Sequence, residues 1–102
     1  MGEFTRVAKD GDVNEGEMSA FDATAQRVAV ARVDGSLYAF GDVCTHARCS
    51  LAEGELEGKT VTCACHGSQF DVTTGAVLNP PATEPVPVFR VRVQDDEIQV
   101  EG

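Results

Sequence analysis

Apolar and polar residues alternate along this chain in short runs of period two, and turn-forming residues interrupt them every few positions. Phe4–Val7 reads as a first short strand. Lys9–Gly16 is polar and contains two glycines, which predicts a loop, and Met18–Phe21 predicts a second strand. Gln26–Val33 alternates with Val28 and Val30 on one face. Asp34-Gly35 follows, a dipeptide that tolerates positive φ at both positions and so favours a tight hairpin turn. Ser36–Phe40 returns as its partner, so residues 26–40 are predicted to form a β-hairpin. Gly54–Thr62 reads as two short strands around a turn at Glu57-Gly58. Thr73-Thr74-Gly75 is a turn before a short strand at Ala76–Leu78. Asn79–Pro87 holds all four prolines; fixed φ and missing donors make it a rigid loop. Val88–Gln94 alternates, Asp95-Asp96 turns, and Glu97–Val100 closes a final hairpin. No segment carries a sustained helical period. The expected fold class is all-β, a small antiparallel sandwich or barrel, with residues 1–102 as one domain.

Composition narrows the function. A domain of 102 residues buries a modest core and gains from a staple such as a metal or a disulfide. The net charge of −9 sets aside nucleic acid and anionic membrane surfaces, which reward Lys and Arg, and suits a partner with a basic docking patch. No apolar run approaches membrane-spanning length and no signal-peptide core is evident, so a cytoplasmic protein is expected.

The distinctive chemistry lies between positions 44 and 66, which hold all four cysteines and both histidines. Cys44, His46 and Cys49 form one group; Cys63, Cys65 and His66 form the other. Each group offers sulfur and imidazole. A zinc site of the Cys₂His₂ kind uses these donors, although it usually pairs Cys with Cys and His with His, whereas both groups here are mixed. A thioredoxin-like site needs Cys-x-x-Cys, which the chain lacks.

The spacing C-x-H, sixteen residues, C-x-x-H resembles that of the Rieske [2Fe–2S] family, in which two histidines replace two cysteines on one iron. Cys65-His66-Gly67-Ser68, the turn at Gly75 and the proline loop after it extend the resemblance to essentially the whole chain. It implies a Rieske-type fold with a cluster-binding subdomain at about 42–83 inserted in the β scaffold. It further implies one [2Fe–2S] cluster, with Cys44 and Cys63 on one iron and His46 and His66 on the other, near the surface. Neutral imidazoles raise the reduction potential above that of plant-type ferredoxins, and docking is expected at the tip bearing His46 and His66.

Other assignments rest on the same resemblance. Cys49 and Cys65 match the disulfide that ties the two cluster loops in respiratory and photosynthetic members. A bridge there is worth on the order of 3 kcal/mol by chain entropy. Ser68 matches a serine that hydrogen-bonds a bridging sulfide. Phe70 departs from the tyrosine of high-potential members and cannot donate a hydrogen bond, so a lower potential is expected. The third loop also departs, with Asn79-Pro80-Pro81-Ala82 in place of the usual Gly-Pro start.

Within the family the chain looks most like the ferredoxin component of bacterial aromatic-ring-hydroxylating dioxygenases. The implied function is a monomeric one-electron carrier between a flavin-dependent reductase and a terminal oxygenase, with no catalytic residue. The alternative is the small Rieske-like subunit of an NADH-dependent assimilatory nitrite reductase.

Overall fold

The computed structural model describes residues 3–22, 27–44, 49–65, 67–80 and 82–101. Three antiparallel sheets organise them. The first has the order β1-β11-β10, from β1 (Phe4–Lys9), β11 (Glu97–Glu101) and β10 (Val91–Gln94). The second has the order β2-β3-β4-β9, from β2 (Met18–Asp22), β3 (Arg27–Val33), β4 (Ser36–Gly41) and β9 (Val88–Phe89). The third lies between β4 and β9 in sequence, with the order β5-β6-β7-β8: β5 (Glu55–Glu57), β6 (Thr60–Thr62), β7 (Gln69–Asp71) and β8 (Val77–Asn79). The all-β antiparallel expectation holds. Among the described residues no helix is long and apolar enough to cross a membrane.

The central hairpin forms as the sequence predicts. Asp34 and Gly35 take φ of 53° and 82°, and Val33 pairs with Ser36 across the turn. Asp95 and Asp96, at φ 56° and 63°, close β10 onto β11 in the same manner.

Other elements differ in detail. A 3₁₀ turn, Asp10–Asp12, occupies part of the expected first loop. The second hairpin turns at Gly58-Lys59, one residue later than predicted, because Gly58 supplies the positive φ of 59° and Glu57 still pairs with Thr60. The predicted strand at 76–78 lies one residue later, at Val77–Asn79. β7 was not expected; three residues between a cysteine-rich loop and a turn give too short a period to read. The predicted strand 88–94 is interrupted at Arg90, where the chain leaves β4 and joins β11. Phe89 and Val91 both remain partly buried across the break, so the alternation continues and conceals the change of sheet.

β3 and β4 divide the core. Val28, Val30 and Ala39 pack with Ala8, Val13, Ile98 and Val100 on the side of the first sheet. Ala29, Ala31 and Phe40 pack on the other side with Cys44, Leu51, Val61, Cys63, Phe70 and Val72. β3 is therefore buried on both faces, with the small alanines toward the cysteine-bearing half. Phe40 and Phe70 are wholly buried there, and each large side chain of this kind contributes about 2–3 kcal/mol of apolar burial.

Candidate metal centre

Two loops are built on the same local plan. In the first, the Cys44 amide donates to the Cys49 carbonyl at 2.9 Å. In the second, the Cys63 amide donates to the Ser68 carbonyl at 2.8 Å. Each cysteine thus opens a short loop and closes its neck five residues later. The Val43–Ser50 bridge flanks the first neck. The second sits at the tip of the β6-β7 hairpin, where Gln69 Nε2 donates to Thr62 Oγ1 at 3.1 Å.

Cys49 and Cys65 are joined by a disulfide with a Cα–Cα distance of 6.4 Å, which ties the two loops to each other. Cys44 and Cys63 stay outside it and are buried, at 0% and 1% exposure. The sulfur atoms of Cys49, Cys63 and Cys65 all lie within 4.8 Å of one another, but two of these sulfurs are spent on the bridge and are no longer thiolate donors. One cysteine per loop remains for a metal. His46 and His66 lie outside the described residues, as do Arg48 in the first loop and Pro81 in the third.

A third segment packs against the base of the second loop at Ser68. The Ala82 amide donates to Ser68 Oγ at 3.0 Å, and Ala82 and Val86 are buried pegs of the proline loop. Ser68 is fully buried. A hydroxyl that accepts from Ala82 still carries its own hydrogen to donate. Gly75 receives the far end of the proline loop: the Val86 amide donates to its carbonyl at 3.0 Å, and a Cβ at Gly75 would lie 2.0 Å from the Val86 carbonyl oxygen. Gly75 is in turn held by its amide N–H, which donates to the Asp71 carbonyl at 2.7 Å. The Thr73 hydroxyl and amide donate to Asp71 Oδ1 at 2.6 and 2.8 Å and hold that carboxyl below its ordinary value. The Thr74 amide and the Lys59 charge act in the same sense, and partial burial opposes them.

Sequence reasoning missed Asp42. It follows β4, is 1% exposed and ties down the first loop from below. Ser50 Oγ donates to its Oδ2 at 2.6 Å, the Ala52 amide to its Oδ1 at 2.9 Å, and Arg27 Nε to its Oδ2 at 3.2 Å. The only sequence signal was an acidic residue two positions before the first cysteine, which does not reveal burial.

The residues fit an iron–sulfur group. There is one buried cysteine in each of two loops, the loops are cross-linked, and a buried hydroxyl retains a hydrogen to offer a sulfur acceptor. Residues 3–90 match the Rieske [2Fe-2S] domain.

The chain belongs to the Rieske [2Fe–2S] family.

It therefore carries one Rieske-type [2Fe–2S] cluster. It is 38% identical over 99 residues to the biphenyl dioxygenase ferredoxin subunit of Pseudomonas sp. (strain KKS102), covering 96% of this chain and 91% of that protein. Among solved structures it is similar to a chain in the complex of reduced oxygenase and oxidized ferredoxin in carbazole 1,9a-dioxygenase, with 37% identity, a TM-score of 0.90, and 97% and 93% of the two chains covered. A putative NADH-dependent nitrite reductase small subunit from Mycobacterium tuberculosis superposes with a TM-score of 0.88 at 23% identity, over 100% of this chain and 96% of that one. At that identity the likeness is one of fold.

Proposed function

We propose that this Rieske protein is the ferredoxin component of a ring-hydroxylating oxygenase system. It takes one electron at a time from a flavin-dependent reductase and delivers it to a terminal oxygenase. The near full-length similarity to a biphenyl dioxygenase ferredoxin subunit carries this reading. The nitrite reductase alternative has only likeness of fold behind it.

Cys44 and Cys63 are the thiolate ligands of one iron, and His46 and His66 the imidazole ligands of the other. Bound there, the [2Fe–2S] cluster supplies a reversible one-electron centre. The chain's own residues do the rest. The Cys49–Cys65 disulfide fixes the spacing of the two loops. The proline loop, pegged by Ala82 and Val86, packs on the base of the second loop, where Cys63 and Ser68 are buried. Ser68 offers its hydroxyl hydrogen to sulfur, which favours the reduced state. The domain spans residues 1–102, with the cluster-binding part at about 42–83, and works as a cytoplasmic monomer. The charge of −9 supports fast encounter with basic docking patches.

Rapid mixing tests the proposal. The protein, reduced with NADH through the biphenyl dioxygenase reductase, should pass one electron per chain to the oxidised oxygenase component. A protein that neither accepts nor passes electrons in this system, and instead binds a nitrite reductase large subunit tightly, would replace this reading with the alternative.

A further inference from the structure

The buried carboxylate of Asp42 has no part in the ligand set, yet its bonds converge on the base of the first loop. Its main-chain oxygen accepts from the Leu51 amide at 2.6 Å, and its side chain accepts from the Ser50 hydroxyl and the Ala52 amide at 2.6 and 2.9 Å. One residue therefore holds three consecutive residues, 50–52, against the end of β4. The loop that emerges between them begins at Cys44. Burying a carboxylate is costly unless it is paired and hydrogen-bonded, and a neutral amide could keep both contacts, accepting from the Ala52 amide and donating to Ser50 Oγ. The charge itself therefore calls for a separate explanation.

Its surroundings show how that charge is arranged. Arg27 is the counter-ion, with Nε 3.2 Å from Asp42 Oδ2, and the Asp42 amide donates to the Arg27 carbonyl at 3.2 Å. Arg27 is half-exposed, with 49% of its side chain open to solvent, whereas Asp42 shows 1%. Arg27 also pairs with Asp22, at 3.4 Å, which is 85% exposed. The positive partner thus faces water and is partly screened, while the negative one is enclosed in protein. Two peptide units separate Asp42 from Cys44, so their Cα atoms lie no more than roughly 7–8 Å apart. Across protein interior at that range, charge interactions are screened far less than at the surface.

We propose that Asp42 is a positioning residue that sets both the shape of the first cluster loop and, through its buried charge, the reduction potential of the site. This rests on the assignment of Cys44 as a ligand. A fixed negative charge opposes the arrival of an electron, so Asp42 lowers the potential, and Arg27 offsets part of that effect.

Four substitutions test this in the cluster-loaded protein. Asp42→Asn keeps an acceptor oxygen for the Ala52 amide, turns its Nδ2 to donate to Ser50 Oγ, and removes the charge; the midpoint potential should rise with the EPR line shape retained. Arg27→Gln leaves the carboxylate less compensated, and the potential should fall. Asp22→Asn removes an equal but exposed charge and should leave the potential where it was. Iron content per chain, measured alongside, separates loop disorder from electrostatics: Asp42→Ala, which loses every side-chain bond, should lose cluster. Unchanged potentials in both Asp42→Asn and Arg27→Gln, shifts of the same sign, or an equal shift in Asp22→Asn would overturn the proposal. If Asp42→Asn fails to fold, Arg27→Gln against Asp22→Asn still decides it. Failure of the electron-transfer reading would appear separately, as a normal potential with no transfer to the oxygenase.

Discussion

The amide of Ala82 donates to the Oγ of Ser68 across 3.0 Å, with both residues buried. This bond joins the proline loop to the second cysteine-bearing loop and fixes the hydroxyl from behind. Ser68→Ala removes the acceptor and leaves a buried N–H without its partner, a loss of about 1–3 kcal/mol. Denaturant unfolding of the loaded protein should show that loss, and potentiometry should show a lower midpoint, because the donor to sulfur is gone. A variant with reduced stability and an unchanged midpoint would confine Ser68 to the fold.

Phe70 occupies the complementary position on β7. It pairs with Val61 and packs in the cluster that contains Cys44 and Cys63. Phe70→Tyr adds a hydroxyl where the ring has no donor. The midpoint potential should rise as that hydroxyl donates to a ligand sulfur. No change in potential would remove the link between Phe70 and the site.

The disulfide makes a prediction of its own. Oxidised protein, denatured rapidly with a chelator, should titrate two thiols, those of Cys44 and Cys63; four would contradict the bridge. Replacing both Cys49 and Cys65 with alanine should cost about 3 kcal/mol by chain entropy, read as a lower denaturation midpoint.

Asp71 gives a pH signature. Its folded carboxyl sits below the ordinary 3.8, held there first by the Thr73 hydroxyl. The unfolded chain therefore takes up this proton before the folded one does. The stabilisation is present above the ordinary value and disappears as pH falls through the lower folded value. Asp71→Asn should be less stable than the parent at pH 7, and the gap should close as pH is lowered below about 4. A gap that persists unchanged into acid would assign the effect to packing.

The fold was most legible where turn chemistry is specific. Asp34-Gly35 and Asp95-Asp96 declare their hairpins because few dipeptides accept two positive φ angles. It was least legible where tertiary context decides. Arg90 sits in an unbroken alternation, and only the competition between β4 and β11 for neighbouring residues splits that strand. β7 is too short to carry a period.

The site divides in the same way. Cysteine and histidine spacing located both loops. The pairing of Cys49 with Cys65 came from family resemblance, since spacing alone leaves several pairings open. Asp42 escaped because a carboxylate beside a cysteine looks like any surface acid until its three donors and its burial are seen.

The most direct measurement is the visible and low-temperature EPR spectrum of the dithionite-reduced protein, with iron and sulfide analysis on the same sample. A brown protein with about two irons and two sulfides per chain and an anisotropic Rieske-type signal is expected. A colourless protein that holds zinc, and takes up no iron or sulfide on reconstitution, would contradict the assignment of this site to electron transfer.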